Sequence, residues 1–167
     1  MKKLVMIAGP AGVGKTTVCK TLFSATKNSA WLDADWCWMV NPYPGKTEAQ
    51  KRYAERAFGY ILDGYLEDEG TTHIFFSWLM HSDFMFDLVT DQIKHKNYEL
   101  YKFVLVCEDA KVFRERKEMD GRIPEQIHEH VDMGLFRRMN AHIIDVSDKT
   151  PADVVEEIRQ RIEQCEA

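Results

Sequence analysis

A stretch of eight residues near the start of the chain, GPAGVGKT from Gly9 to Thr16, has the residue types and spacing of a phosphate-binding loop. Glycines adopt backbone angles that are closed to other residues, and they leave main-chain amides open to anionic oxygens. Lys15 is spaced to reach the β- and γ-phosphates of a nucleoside triphosphate, and the Thr16 hydroxyl to take one position on Mg²⁺. A chance cluster of glycines in a turn is the alternative. The pattern predicts a nucleotide site made of consecutive residues: Gly9, Pro10, Ala11, Gly12, Val13, Gly14, Lys15, Thr16 and Thr17.

Apolar runs of strand length alternate with stretches of helical spacing along the chain. Short, nearly continuous apolar strands are typical of parallel sheets covered on both faces, and their alternation with helices implies βαβ units. The pattern predicts one α/β domain over residues 1–167, a three-layer αβα sandwich around a five-stranded parallel sheet. The predicted strands are Leu4–Ala8, Ala30–Leu32, His73–Phe76, Phe103–Cys107 and Ile143–Val146.

Two aspartates, Asp33 and Asp35, end the second predicted strand. Residues two apart on an extended chain point to the same side, and ligands of open parallel sheets gather at the carboxyl ends of the strands. One carboxylate can then hold Mg²⁺, while the other takes the proton of an acceptor hydroxyl. A structural interpretation stays open, because Asp35 directly before Trp36 also has the position of a helix N-cap.

The glycine loop and the aspartate pair together resemble the small P-loop kinases, which include nucleoside-monophosphate kinases, shikimate kinase and gluconate kinase. The resemblance covers nearly the whole chain and rests on Gly9–Thr16 and on the Asp-x-Asp of Asp33 and Asp35. It implies the P-loop NTPase fold with a lid, and ATP and Mg²⁺ as cofactors. It assigns Thr16 and Asp33 to the metal, Lys15 to catalysis, and Asp35 to catalytic contact with the phosphoryl acceptor.

A charged segment follows the fourth predicted strand. In the related kinases, arginines on a lid close over ATP, and the resemblance implies a lid at approximately 114–126 with Arg116 and Arg122 as catalytic residues. Arg116 would also contact the nucleotide, because a guanidinium fork holds two phosphate oxygens at once. An exposed helix with Glu–Arg pairs is the alternative interpretation. The loop that follows the last strand, from Asp145 to Pro151, borders the adenine in the related kinases.

The chain departs from the family after its third strand. No aspartate closes this strand, and the arginine with which adenylate-type kinases hold an acceptor phosphate is absent, so a neutral, hydroxylated acceptor is at least as well supported as an anionic one. His81 is a candidate for acceptor contact. Basic residues on the acceptor-side helices can substitute for the missing arginine: Lys46, Lys51, Arg52 and Arg56. Several aromatic residues form either core or a stacking wall for a ring-bearing acceptor: Trp31, Trp36, Trp38, Tyr43 and Trp78.

The composition of the chain argues against a nucleic-acid-binding, secreted or membrane protein. The chain has 167 residues and a net charge of −5, whereas a nucleic-acid-binding surface is usually strongly basic. Four cysteines at long spacings are typical of free thiols in a reducing compartment. Because the first apolar run is five residues long and no run approaches a membrane span, we expect a cytoplasmic protein with no membrane or nucleic-acid partner, acting as a monomer or homodimer.

These observations favour an ATP-dependent kinase that transfers the γ-phosphoryl group to a hydroxyl-bearing small molecule. A nucleoside-monophosphate kinase is the alternative within the same fold. A regulatory protein that hydrolyses ATP slowly is the alternative from another class. It would need switch loops that respond to the γ-phosphate, and none is recognisable in the sequence.

Overall fold

The computed structural model describes residues 1–40, 47–119 and 131–164. Its strands are β1 (Lys2–Ala8), β2 (Ser29–Asp33), β3 (His73–Ser77), β4 (Tyr98–Val106) and β5 (His142–Asp145). Its α-helices are α1 (Lys15–Ala25), α2 (Glu48–Glu67), α3 (Asp83–Asp91), α4 (Ala110–Met119), α5 (Met133–Arg137) and α6 (Pro151–Gln164). A 3-10 helix, Ala34–Trp38, follows β2 directly.

The five strands form one sheet in the order β2-β3-β1-β4-β5, and every pairing is parallel. This confirms the predicted five-stranded parallel sheet. The first strand in sequence lies at the centre, so the loop that leaves its carboxyl end is flanked by the ends of both neighbouring strands. β4 begins at Tyr98, five residues before the predicted run, where it pairs with Lys2 of β1. Its first five residues mix polar with apolar side chains, so the apolar pattern did not indicate them.

Helices cover both faces of the sheet, and alternate side chains of β1 pack into the two hydrophobic cores on those faces. Leu4 and Met6 face a core shared with α2 and α3, whereas Val5 and Ile7 face a core shared with α1 and α6. The four side chains are fully buried, which explains the unbroken apolar run in the sequence. None of the helices within the described ranges has the length and apolar character needed to cross a bilayer.

Caps fix the ends of two helices beside the sheet. Thr47 and Gln50 form a reciprocal capping box at the start of α2. At the start of α6, the Thr150 hydroxyl accepts from the Asp153 amide, and the Asp153 carboxylate accepts from the Thr150 amide. Pro151 occupies the first helical position of α6, where its missing N–H has no cost.

Candidate functional site

The loop between β1 and α1 is built from glycine conformations that other residues rarely adopt. Gly9 has φ +141°, and a Cβ added there would lie 2.4 Å from the main-chain oxygen of Leu105. Gly14 has φ +106° and precedes the first residue of α1. A Cβ added at Gly14 would meet no atom within 4 Å, so the loop borders open space on that side. In the described residues no side chain caps α1, and its first amides remain available to an anion.

Lys15 places a positive charge over this loop. Its ammonium group donates hydrogen bonds of 2.9 Å to the main-chain oxygens of Gly9 and Pro10. The side chain therefore curls back along the loop from the first turn of α1. Val13 is buried and anchors the loop in the core below. The arrangement combines main-chain donors, a helix N-terminus and one ammonium group, which is the chemistry that binds phosphate.

The hydroxyl of Thr16 donates a 3.0 Å hydrogen bond to Oδ2 of Asp33. Asp33 is 6% exposed and is the last residue of β2. Its second oxygen, Oδ1, accepts a 3.1 Å hydrogen bond from the Asp35 amide and thereby caps the 3-10 helix. The buried carboxylate of Asp33 thus contacts both α1 and the segment that follows β2. The structure also brings together Thr16 and Asp33, the two residues predicted to hold Mg²⁺.

The position of Asp35 corrects two expectations. Asp35 lies inside the 3-10 helix rather than on the strand, so strand alternation does not align it with Asp33. Asp33, and not Asp35, is the N-cap, because β2 ends at Asp33 and its side chain accepts the Asp35 amide. Asp35 is exposed, while Asp33 is buried. The two carboxylates therefore have different surroundings, which suits different roles.

The third strand ends in Ser77, which the sequence did not single out as a site residue. Ser77 is fully buried and accepts a 3.2 Å hydrogen bond from the indole N–H of Trp31. Cys19 of α1 lies beside it, and burial raises the pKa of this thiol to about 12 despite the Ser77 hydrogen bond and the charge of Lys15. Cys19 is therefore an inert thiol under the loop. His81 lies exposed in the loop that follows β3.

Arg116 of α4 connects the glycine loop to the loop that follows β5. Its guanidinium donates to the main-chain oxygen of Val13 at 3.4 Å, of Val146 at 2.7 Å and of Lys149 at 3.2 Å. A planar fork with several fixed donors suits such a cluster of carbonyls. Arg116 therefore reaches the edge of the predicted nucleotide site. Arg122 and the lid beyond Met119 lie outside the described residues.

Ser147 orders the loop after β5, and sequence reasoning missed it. Its hydroxyl donates a 2.7 Å hydrogen bond to Asp145 and accepts from the amides of Glu108 and Asp109 at 2.9 and 3.0 Å. Burial opposes ionisation of Asp145, but hydrogen bonds from Ser147 and from the Glu108 amide outweigh it and lower the pKa of this carboxyl. A polar residue directly after the last strand is the signal that could have indicated this role.

The tryptophans divide between the two faces of the sheet. Trp31 and Trp36 pack on each other with ring centroids 4.9 Å apart, and Trp31 packs against the α1 core. Trp38 and Trp78 stack at 6.2 Å with ring planes 24° apart, next to the α2 core. Tyr43 lies outside the described residues. The four tryptophans therefore do not form one wall, and of these four only Trp38 and Trp78 contact each other where the segments after β2 and β3 meet.

Two of the basic residues offered as substitutes for the acceptor arginine lie elsewhere. Arg52 and Arg56 line a groove of about 710 Å³ along α2 with Tyr53, Tyr60 and Gln92. None of its described lining residues belongs to the loops at the carboxyl edge of the sheet. Lys51 forms an ion pair with Glu48 at 2.7 Å. Lys46 lies outside the described residues.

A comparison with family models decides the family. The model of a family described as an AAA domain matches residues 5–137. The chain belongs to this AAA domain family. Among curated proteins, no sequence matches the chain significantly.

Solved structures share the fold of this AAA domain over almost its whole length. A gluconokinase from Sinorhizobium meliloti is 15% identical, with a TM-score of 0.67 over 98% of this chain and 93% of its own. A sugar kinase from Janibacter sp. is 15% identical, with a TM-score of 0.63 over 98% and 95%. The Deinococcus radiodurans tunicamycin resistance protein is 18% identical, with a TM-score of 0.65 over 97% and 96%. The AAA domain therefore has the P-loop NTPase fold of small-molecule kinases, as the resemblance predicted.

The donor atoms of the AAA domain fit a magnesium nucleotide. Thr16 supplies a hydroxyl oxygen and Asp33 a carboxylate oxygen, and Mg²⁺ prefers hard oxygen donors. Within residues 1–40, 47–119 and 131–164, no group of three or more His, Cys, Asp or Glu side chains is placed to hold a metal. Mg²⁺ that binds with a nucleotide is usually held by one or two protein carboxylates together with substrate phosphates.

Proposed function

We propose that the chain is an ATP-dependent kinase that transfers the γ-phosphoryl group to a hydroxyl of a small-molecule acceptor. One observation supports this most strongly. The loop with Lys15 is joined through the Thr16–Asp33 hydrogen bond to the segment that carries Asp35, so a phosphate-binding group and an exposed carboxylate lie at one edge of the sheet. We further propose that the protein acts in the cytoplasm as a monomer or homodimer.

In this proposal, the surroundings of each site residue determine its role in phosphoryl transfer. Lys15 exchanges its two carbonyl partners for phosphate oxygens and neutralises charge that develops during transfer. The main-chain amides at Gly14 and at the start of α1 hold the triphosphate. Thr16 and Asp33 are the groups that would hold Mg²⁺, which neutralises phosphate charge when bound. Arg116, at the rim between Val13 and Val146, supports the nucleotide side of the site.

Asp35 serves the acceptor in this proposal. In the transfer, a bond forms between the acceptor oxygen and the γ-phosphorus, while the bond from that phosphorus to the bridging oxygen of ADP breaks. The hydroxyl proton passes to the carboxylate of Asp35, which acts as general base. An exposed carboxylate can accept this proton and return it to water, whereas Asp33 stays engaged with Thr16 and with the Asp35 amide.

Phosphorus NMR of reactions with Mg-ATP and a panel of alcohols tests the proposal. We expect ADP and a new phosphate ester to appear in equal amounts with a true acceptor. Lys15→Ala should abolish both ATP association and transfer, while Lys20→Ala, on the exposed side of α1, should leave them unchanged. Release of inorganic phosphate at one slow rate with every acceptor would instead favour a regulatory ATPase. Failure of Mg-ATP to bind would overturn the proposal.

A further inference from the structure

An aromatic wall stands where the segments after β2 and β3 meet. It consists of Trp38 from the 3-10 helix, Trp78 from the loop after β3, and Phe58 from α2. Trp78 stacks on Trp38 and contacts Phe58 with ring centroids 5.5 Å apart. The two strands that carry the tryptophan segments are neighbours, with Asp33 paired to Ser77 in register. The wall therefore lies beside the strand end that carries Asp33, on the acceptor side of the proposed transfer.

The aromatic wall is only partly buried in the hydrophobic core. Phe58 is fully buried, but both tryptophans are half-buried, and the residues that follow them are exposed: Met39 at 75% and Leu79 at 42%. Two exposed apolar side chains therefore follow the wall tryptophans in the chain.

The indole N–H of Trp38 supplies a second, independent observation. In the described part of the chain, this N–H is buried and has no hydrogen-bond partner. By contrast, the indole N–H of Trp31 is satisfied by Ser77. A buried donor without an acceptor is costly, and native structures rarely keep one without a reason. An oxygen of a bound molecule that displaced the atoms covering this N–H would satisfy it.

The charges near the aromatic wall discriminate between classes of acceptor. Residues 30–40, after and along β2, contain no Lys or Arg, and neither do residues 78–93, after β3. The carboxylates of these segments that lie nearest the strand ends are Asp33, Asp35 and Asp83, at the start of α3, whereas Asp91 ends α3 beside Tyr98 at the other edge of the sheet. Arg52 and Arg56 lie about 120° and 160° around α2 from Phe58, and they line the separate groove instead. An acceptor with a phosphate or carboxylate group would therefore meet repulsion, and the atom that accepts from the Trp38 indole N–H must be an oxygen or nitrogen with a lone pair rather than an ammonium group.

We propose that the phosphoryl acceptor is an uncharged alcohol that carries a flat ring, which packs on the aromatic wall and accepts a hydrogen bond from the Trp38 indole N–H. This inference rests on the proposed kinase function and adds the class of its substrate. Flat rings stack well on tryptophan. The hydrogen bond fixes the orientation of the ring, so that a hydroxyl substituent can be directed to Asp35.

Matched acceptors test the class. Calorimetry with Mg²⁺ and a non-hydrolysable ATP analogue, followed by phosphorus NMR with ATP, would compare three sets. The first holds uncharged ring-bearing alcohols, such as uridine, salicyl alcohol and pyridine methanols. The second holds charged counterparts, such as uridine monophosphate and salicylate. The third holds ring-free molecules, such as ribitol and gluconate. The best acceptor should come from the first set and bind at least about 10-fold more tightly than its charged counterpart.

Two conservative variants test the wall itself. Trp38→Phe keeps an aromatic face but removes the N–H donor, and it should raise the KM of the best acceptor about 3- to 10-fold while the KM of ATP stays the same. Trp36→Phe is the matched control, because Trp36 packs on Trp31 away from the wall. Binding of the ATP analogue shows that each variant is folded.

The outcomes separate this inference from the function on which it rests. Preference for a charged or ring-free acceptor would overturn the inference and leave the kinase proposal standing. So would absence of transfer to every ring-bearing alcohol while Mg-ATP still binds, or an unchanged acceptor KM in Trp38→Phe. Loss of the kinase proposal itself would appear as absent Mg-ATP binding, or as unchanged ATP turnover in Lys15→Ala.

Discussion

Thr16 and Asp33 are joined by a 3.0 Å hydrogen bond between elements that are not neighbours in the sheet. Thr16 lies in the first turn of the helix that leaves β1, whereas Asp33 ends β2, and β3 lies between these two strands. Helix α1 therefore spans the gap and holds a hydroxyl against a buried carboxylate. The hydrogen bond prepares two oxygen donors before any metal arrives.

Removal of either partner should alter the magnesium dependence of activity. We expect Thr16→Val and Asp33→Asn to weaken the response to Mg²⁺ on the order of 10- to 100-fold, because each removes one oxygen donor or its charge. Thr16→Ser should restore most of the loss. Thr21→Val removes a hydroxyl from the same helix and serves as the control, since the Thr21 hydroxyl donates to the Thr17 main-chain oxygen of α1 itself. Identical magnesium titrations for Thr16→Val and the wild type would contradict the assignment.

Replacement of Asp35 by asparagine should separate chemistry from nucleotide binding. General-base catalysis contributes typically about 100- to 10,000-fold, so transfer should fall within that range. The affinity for an ATP analogue should stay within about twofold, because the capping hydrogen bond uses the Asp35 main chain rather than its side chain. Asp91→Asn, an exposed carboxylate at the end of α3, is the control. Equal losses of binding and transfer in Asp35→Asn would place this residue in nucleotide binding instead.

The sequence predicted the sheet and the loop because both depend on local signals. An apolar run such as Leu4–Ala8 shows directly that a strand is buried on both faces, and the glycine spacing from Gly9 to Gly14 indicates the turn. The sequence left open a helix start at Asp35 but did not place the 3-10 helix at Ala34, because its N-cap, Asp33, is held by a residue from another element. Thr16 of α1 donates to one carboxylate oxygen of Asp33. The other oxygen accepts from the Asp35 amide and so caps the 3-10 helix.

Contacts between distant residues explain the other differences. Arg116 was recognised as a site candidate, but its partners Val13, Val146 and Lys149 are main-chain oxygens that no side-chain pattern reveals. The tryptophans are close in sequence, but successive side chains of β2 point to opposite faces of the sheet. Trp31 therefore packs in one core and its neighbour Leu32 in the other. Proximity in sequence therefore overestimated how many of them share one wall.

Arg116 should contribute both to stability and to nucleotide affinity. Arg116→Ala removes charge-assisted hydrogen bonds to three carbonyls, and hydrogen bonds to charged groups are worth about 1.5–3 kcal/mol each. We expect a loss of about 1–3 kcal/mol in the free energy of unfolding, since the site is only partly buried, and a raised KM for ATP. Arg116→Lys should rescue little, because an ammonium cannot span the carbonyls. Lys111→Ala, exposed on the same helix, is the control; comparable effects there would argue against a specific role.

Replacement of glycine by alanine should have opposite effects on stability at Gly9 and at Gly64. Gly9→Ala forces a side chain into φ +141° and against the Leu105 oxygen at 2.4 Å, so urea denaturation should show a loss of at least about 2 kcal/mol. Gly64 lies in the interior of α2, where an added Cβ meets nothing within 4 Å. Gly64→Ala should therefore stabilise the protein by about 0.5–1 kcal/mol through helix propensity. A tolerated Gly9→Ala would show that the loop can adopt another conformation.

Cys19 should make the protein less stable at alkaline pH. Burial raises the pKa of this thiol from 9.0 to about 12, so the unfolded chain releases the proton at a lower pH than the folded protein. The unfolded state then binds fewer protons between these values, and the free energy of unfolding falls as the pH rises through that window. The fall attributable to Cys19 should be about 1.4 kcal/mol per pH unit above 9. Urea denaturation of the wild type and Cys19→Ala at pH 8 and pH 10 measures it. Cys19→Ala should lose less stability between the two pH values, even if the smaller side chain lowers stability at both, and parallel losses would show that Cys19 ionises as readily in the folded protein as in the unfolded chain.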